Sequence, residues 1–159
     1  MSTFPEAWPH GELEELFPGV YFVTGTMKAE FFGEMWQFSR NMTVVKEGET
    51  LTLLNSVRLD EAGLKALDAL GTVKNVLRVG GMHGHDDAFY VDRYDATHWA
   101  LPGTPTAEGL KIDKELSVGG ETPFADCTLF VFETLKAPEC IVRVDRADGI
   151  AVACDALQN

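Results

Sequence analysis

Residues 76–90 read Val-Leu-Arg-Val-Gly-Gly-Met-His-Gly-His-Asp-Asp-Ala-Phe-Tyr, and this stretch decides how the rest of the chain is interpreted. A short apolar run ends at a glycine pair, a polar loop with two histidines and two aspartates follows, and an amphipathic segment comes next. In an extended loop, residues i and i+2 point the same way, so His83, His85 and Asp87 can approach one ion. Imidazole and carboxylate ligands together suit zinc, iron or manganese. The spacing therefore predicts a metal site directly after a strand.

The composition indicates one soluble globular domain over residues 1–159, because 45% of the residues are hydrophobic and 24% are charged. A formal net charge of −12 argues against nucleic acid or an anionic membrane as a partner, since phosphate groups bind basic surfaces. No apolar run approaches the roughly 18 residues of a membrane span, and the N-terminus does not resemble a signal peptide. The three cysteines show no Cys-x-x-Cys spacing, so we expect reduced thiols and a cytoplasmic protein.

The first half of the chain predicts strands around one helix. Strands are expected over residues 20–25, 35–40, 42–45 and 50–54, the last two joined as a hairpin. Residues 60–71 predict a helix whose apolar stripe, Leu64, Leu67 and Leu70, belongs to the core. Residues 73–79 predict the next strand, so the helix makes a right-handed crossover between parallel strands. The histidine-rich loop then lies beyond the C-terminal end of a strand, where open α/β sheets place their sites.

The remaining segments predict more strands and place the other two histidines, His10 and His98. A short helix is expected over residues 89–94, a short strand over 98–102, a long loop over 102–120, and strands over 127–132, 140–144 and 150–154. Residues 1–18 predict an irregular lead-in that covers a sheet edge. We expect His10 to be a surface residue in this lead-in and His98 to be structural.

The order strand, His-x-His-x-Asp, helix resembles the second motif of the metallo-β-lactamase-fold hydrolases. In that family a further histidine usually follows the aspartate, and here Ala88 occupies that position. Residues 152–157, Val-Ala-Cys-Asp-Ala-Leu, are similar to the fourth motif, a strand that ends in a metal-bridging aspartate, here Asp155. Asn55 stands where the family has an aspartate, and Glu121 replaces the histidine of a Gly-His-Thr-Pro motif.

The resemblance implies an α/β fold, a metallo-β-lactamase-like αββα sandwich. The family normally continues to a last histidine, whereas this sequence stops four residues after Asp155. We therefore expect either a form shortened at the C-terminus or a sequence that lacks a C-terminal portion.

The resemblance also implies that His83, His85 and Glu121 hold one metal ion, with Asp155 bridging or capping it. Asp87 lies beside the ion and is assigned to the catalytic step. Zn²⁺ is the expected cofactor, although Glu121 in place of histidine shifts the preference slightly towards iron or manganese. The ion would lower the pKa of a bound water and so supply hydroxide for hydrolysis.

Each candidate residue also has a plain structural explanation. The alternative for His83, His85 and Glu121 is a solvated surface position, for Asp87 the N-cap of the following helix, and for Asp86 a cap or surface position. The sequence therefore leaves two functions open. One is a metal-dependent hydrolase of unknown small-molecule substrate, and the other is a non-catalytic protein of the same fold that serves binding or oligomerisation. Exposed sheet edges would favour a homodimer.

Overall fold

The computed structural model describes residues 4–157 and arranges them as two β-sheets and two helices. The elements in chain order are β1 Glu14–Phe17, β2 Val20–Phe31, β3 Glu34–Glu47, β4 Thr50–Leu54, α1 Glu61–Leu70, β5 Thr72–Leu77, α2 Asp87–Tyr94, β6 Thr97–Ala100, β7 Lys114–Glu115, β8 Cys127–Val131, β9 Cys140–Val144 and β10 Ile150–Val152. Strands β1 to β7 form one mixed sheet in chain order, and β10, β9 and β8 form a second, antiparallel sheet. The large sheet therefore carries the loops that follow β4 and β5, and the small sheet carries the segment after β10.

Strands β2 and β3 form one long antiparallel hairpin, which corrects the two separate strands expected over residues 35–45. Strand β3 runs without a break from Glu34 to Glu47, because the polar residues 40 and 41 still pair with β2. The turn at Phe32 and Gly33 has φ values of +55° and +82°. Such a two-residue turn matches the right-handed twist of the strands and permits the long pairing.

Helix α1 and the crossover it makes are as predicted. The Asp60 side chain caps the N-terminus by accepting a hydrogen bond from the first turn, and Gly71 follows the last helical residue. Leu64 and Leu67 are buried. Strands β4 and β5, which precede and follow the helix in the chain, pair with each other in parallel. The histidine-rich loop, residues 78–86, consequently leaves the C-terminal end of β5. Neither helix in the described part of the chain is long and apolar enough to cross a membrane.

Apolar side chains form two layers, one on each face of the large sheet. The layer between the two sheets includes Leu54, Leu77 and Val142. The layer between the large sheet and the helices includes Leu67 and Tyr90. The helices, the large sheet and the small sheet correspond to three of the four layers of the predicted αββα sandwich. The fourth layer, of helices, has no counterpart among residues 4–157.

The N-terminal segment and the long loop contain strands that the sequence did not predict. Strand β1 pairs with β2 at one edge of the large sheet, and β7 extends the other edge beside β6. His10 is also not the surface residue we expected. Its side chain is 8% exposed, and Nε2 accepts a hydrogen bond from the backbone N–H of Asp60 at 2.9 Å. The histidine therefore ties the N-terminal segment to the start of α1.

Candidate metal centre

Three potential metal ligands from distant parts of the chain converge at one end of the sandwich. His83 lies in the loop after β5, whereas Cys154 and Asp155 lie just after β10. His83 Nε2 is 2.9 Å from Asp155 Oδ1, and one donor atom from each of the three residues lies within 4.8 Å of the others. The side chains of His83 and Asp155 are 31% and 46% exposed, so solvent reaches the cluster. Within residues 4–157, no other three histidine, cysteine or acidic donors come this close together.

Asn55 connects the strand ends that carry these ligands. It follows β4 with φ of +55°, a left-handed conformation that asparagine tolerates better than most residues. Its Oδ1 accepts a hydrogen bond from Val79 N at 3.2 Å, and its Nδ2 donates to Ala153 O at 3.5 Å. An aspartate here would have no N–H for Ala153. Asn55 therefore fixes the separation between the His83 loop and the Cys154–Asp155 turn.

Glu139 holds the turn at Cys154, although no motif in the sequence singles it out. The residue is 6% exposed, and its Oε1 accepts a hydrogen bond from Ala156 N at 2.6 Å. Gly80 leaves room for the turn, because a Cβ there would lie 2.6 Å from Cys154 Sγ. A lone glutamate before a short strand resembles a surface residue in sequence. Its burial depends on the packing of the two sheets, which local sequence does not encode.

The thiol of Cys154 is kept protonated by its surroundings. Burial, followed by the negative charges of Asp155 and Glu139, raises its pKa to about 12. A thiol with such a pKa is a poor nucleophile at neutral pH, because the thiolate is the reactive form. A bound metal cation would reverse this balance, since a coordinating thiol is deprotonated by the ion. The chemistry of Cys154 therefore suits metal ligation better than direct nucleophilic attack.

A cavity of about 340 Å³ opens beside the three ligands. Its walls also include Ser39, Arg40, Asn41 and Asn55. Arg40 is 6% exposed and donates from Nη2 to Ser56 O at 3.0 Å and to the Asp86 carboxylate. The cavity therefore combines polar side chains with a guanidinium whose charge is balanced by the Asp86 carboxylate.

Asp86 is neither the side-chain cap nor the surface residue that we expected. It precedes α2 in the N-cap position, but its carboxylate makes no cap hydrogen bond. The carboxylate instead pairs with Arg40 and accepts a hydrogen bond from Arg58 N at 2.8 Å. Its role is to fasten the start of α2 to β3 and to the segment after β4.

Asp87, predicted to be a ligand and the catalytic residue, is completely buried and bonded elsewhere. Arg78 Nε donates to Oδ2 at 2.6 Å, and Ser56 Oγ donates to Oδ1 at 2.5 Å. His98 Nε2 lies 3.5 Å from Oδ2. Burial opposes ionisation, but His98, the charge of Arg78 and the hydroxyl of Ser56 outweigh it and hold the pKa of Asp87 below its ordinary 3.8. Asp87 is therefore an ionised carboxylate with both oxygens engaged, and it is the first residue of α2 rather than its N-cap.

The structure also separates His85 and Glu121 from the cluster. His85 is exposed and lines a different cavity, together with Arg78 and Pro105. The Glu121 side chain is 65% exposed and pairs with Lys114 at 2.9 Å. The expectation that His83 and His85 point the same way required an extended loop, but turns interrupt this one. Of the predicted ligands, the structure brings together His83 and Asp155, and it adds Cys154.

Comparison with solved structures identifies the architecture. The subclass B3 metallo-β-lactamase BJP-1 of Bradyrhizobium japonicum matches with a TM-score of 0.60 and 17% identity, over 94% of this chain and 64% of that one. A metallo-β-lactamase from Erythrobacter litoralis matches with 0.57 and 15%, over 86% and 63%. FIM-1 from Pseudomonas aeruginosa, in its mono-zinc form, matches with 0.58 and 12%, over 87% and 66%. No protein-family model matches the sequence, and no curated protein matches it either.

The chain therefore has the metallo-β-lactamase fold, as its sequence predicted. It is an α/β sandwich of the architecture on which these metal-dependent hydrolases are built. The chain spans 63% to 66% of the length of the three solved structures.

Proposed function

We propose that the chain is a metal-dependent hydrolase in which His83, Cys154 and Asp155 hold one zinc ion. The observation that carries this proposal is the convergence of their three donor atoms within 4.8 Å beside a cavity. Catalytic zinc sites typically use three protein ligands and leave one position open for water or substrate. The similarity in fold to FIM-1, whose structure is of a mono-zinc form, supports a single zinc ion.

The donor set supports zinc over the alternative metals. Imidazole, thiolate and carboxylate are all zinc ligands, and a thiolate is a soft ligand that manganese does not favour. The glutamate that favoured iron or manganese at the sequence level, Glu121, is paired with Lys114 instead. Iron and manganese are therefore second candidates for this site.

The residues around the ligands have separate tasks in this proposal. Zinc bound there would supply a water of lowered pKa and polarise the bond to be cleaved. Asn55 keeps the two ligand-bearing segments at a fixed separation, and Glu139 keeps the turn that presents Cys154. Arg40 and Asn41 line the cavity in which a substrate would lie. The net charge of −12 supports a small-molecule substrate rather than a nucleic acid.

Zinc binding and hydrolysis by the same protein test the proposal. Metal-free protein is reloaded with zinc and assayed against chromogenic ester, thioester, phosphodiester and β-lactam substrates. We expect zinc-dependent turnover of one class, lost together with zinc binding in the His83→Ala and Cys154→Ser variants. The matched control is His85→Ala, which changes the same residue type two positions away and should retain both. Turnover that survives His83→Ala would contradict the proposal.

A non-catalytic binding protein of the same fold is the second candidate, and the end of the β2–β3 hairpin favours it. Phe32 is fully exposed, and Met35 and Trp36 are 65% and 50% exposed. Apolar patches of this kind often mark contact surfaces. A protein that binds no zinc after loading and hydrolyses none of the four substrate classes would support this candidate over the hydrolase.

Compartment and oligomeric state are further proposals. The free thiols of Cys127, Cys140 and Cys154 support a reducing compartment such as the cytoplasm. The edge strands of the small sheet, β8 and β10, support a homodimer, because an exposed edge offers unpaired backbone groups to another chain. A monomer by light scattering at micromolar concentration would contradict the dimer.

A further inference from the structure

Arg78 is buried inside the histidine-rich loop and contacts it on several sides. The residue is 3% exposed, although arginine is almost never this buried without a partner. Its Nε donates to Asp87 Oδ2 at 2.6 Å, and its Nη1 donates to Gly81 O at 3.3 Å and to Pro105 O at 3.0 Å. The guanidinium thus connects both ends of the loop and the neighbouring segment after β6.

The carboxylate that receives Arg78 is enclosed by other donors. Asp87 is 0% exposed, and its second oxygen accepts the Ser56 hydroxyl at 2.5 Å. His98 is also 0% exposed, with Nδ1 2.9 Å from Lys111 O and Nε2 3.5 Å from Asp87 Oδ2. Arg78 is the positive charge that balances Asp87 in this enclosed site.

Gly84 shows that the loop is built around the guanidinium. A Cβ at Gly84 would overlap the Arg78 guanidinium, so no other residue fits there while Arg78 keeps its position. Gly84 separates His83 from His85, and these two histidines line different cavities. The guanidinium therefore occupies the part of the loop where the sequence pattern had suggested a shared ion.

We propose that Arg78 is an internal cation that takes up the Asp87 carboxylate, organises the loop without a metal, and limits the chain to one metal ion. The limit to one ion rests on the proposed zinc site at His83, Cys154 and Asp155, whereas the role of Arg78 does not. A metal bound at Oδ2 of Asp87 would have to displace Arg78 and leave a buried cation without its partner, and a metal bound at Oδ1 would have to displace the Ser56 hydroxyl. Breaking a buried ion pair in this way is strongly unfavourable.

Native mass spectrometry with zinc titration tests the limit on metal content. Wild-type protein, Asp87→Asn and Cys154→Ser are stripped of metal and titrated with zinc chloride. We expect one specific zinc ion in the wild type and in Asp87→Asn, and at least a roughly tenfold weaker affinity in Cys154→Ser. A second specific zinc in the wild type that disappears in Asp87→Asn would overturn the proposal. Loss of the single zinc in Asp87→Asn with no change in metal-free stability would overturn it as well.

Thermal unfolding of the metal-free proteins tests the role of Arg78 separately. We expect Asp87→Asn to lower Tm by roughly 10 °C, because Arg78 is left buried and unpaired. In the Arg78→Met/Asp87→Asn double variant, the decrease in Tm should be smaller than the sum of the decreases in Arg78→Met and Asp87→Asn, since the double variant removes both charges. Strictly additive losses would overturn the internal-cation role. The surface control Asp92→Asn, on the exposed side of α2, should leave Tm unchanged.

The two measurements separate the two proposals. If the wild type binds no zinc but the unfolding data show coupling between positions 78 and 87, the proposed metal function fails and Arg78 remains the organiser of the loop. If Asp87→Asn does not fold, the double variant still decides the question. Its recovery supports the internal cation, and its failure to recover any folded protein contradicts it.

Discussion

Asp87 and Asp155 are two aspartates that the same sequence argument assigned to one site, yet their surroundings differ in every respect. Asp87 is 0% exposed and is held by Arg78 and Ser56. Asp155 has a side chain that is 46% exposed, and its contact is His83, itself a potential ligand. A carboxylate is available to a metal only when its oxygens are not held by buried hydrogen-bond donors and when they face solvent and other metal ligands. The contrast therefore separates a structural half of the site from a half that is open to chemistry.

The largest expected effect concerns the stability of the two aspartate variants. Asp87→Asn should lower the free energy of unfolding by about 3–5 kcal/mol, because it leaves Arg78 buried without its partner. Asp155→Asn should lower it by less than about 1 kcal/mol, since an exposed ion pair contributes little. Urea unfolding of both metal-free variants measures the difference. Equal losses of unfolding free energy in the two variants would contradict the distinction between a structural Asp87 and an accessible Asp155.

A smaller loss is expected for Gly84→Ala. The added Cβ overlaps the Arg78 guanidinium, and overpacking of a buried site costs about 1–3 kcal/mol. The backbone at Gly84 is not left-handed, so the effect reports on the guanidinium and not on backbone strain. Met82→Ala in the same loop is the control, because Met82 is 71% exposed. If the two variants have the same stability, Arg78 does not occupy the loop interior.

Acid should lower the folding stability of the wild type more than that of Asp87→Asn, and this difference should be smaller than the two losses described above. The pKa of Asp87 in the folded protein lies below its ordinary 3.8, where burial is outweighed by His98, Arg78 and Ser56. The stabilisation from this group is therefore complete above the unfolded-state value and is lost as the pH falls through the folded-state value. Unfolding measured from pH 6 to pH 3 should show a steeper loss in the wild type than in Asp87→Asn. Parallel curves would show that Asp87 is not an ionised, stabilising group.

The smallest expected effect is that of His85→Ala. His85 is exposed and lines a cavity that contains none of the three proposed ligands. Its removal should leave zinc affinity unchanged, whereas His83→Ala should weaken it at least roughly tenfold. Isothermal titration with zinc compares the two variants directly. A comparable loss in both would restore the pair of histidines as joint ligands.

The crossover and the position of the loop were predictable because their signals are local, whereas the sandwich was expected from the resemblance to the metallo-β-lactamase family. The capped helix that ends before Gly71 and the apolar run before Gly80 place the crossover and the loop at a strand end. The continuous β3 was divided at the polar residue Asn41, because the expected strands covered residues 35–40 and 42–45. The burial of Arg40 is compensated by hydrogen bonds to Ser56 and Asp86, which lie far away in sequence.

The site was only partly predictable, for a physical reason. His-x-His-x-Asp spacing gives the residue types but not the direction of each side chain, which turns within the loop reset. The engagement of Asp87 by Arg78 depends on a cation nine residues earlier, and the approach of Cys154 depends on Gly80 and Glu139. The first contact joins the two ends of one loop, and the second arises from packing between the two sheets. They cannot be read from a local pattern.

X-ray absorption at the zinc edge tests the central claim most directly, because it identifies the atoms bound to zinc. We predict one sulfur at about 2.3 Å together with nitrogen and oxygen at about 2.0–2.1 Å from zinc. The sulfur signal should disappear in Cys154→Ser and persist in Asp87→Asn. A spectrum with nitrogen and oxygen alone, or a sulfur signal that survives Cys154→Ser, would contradict the account.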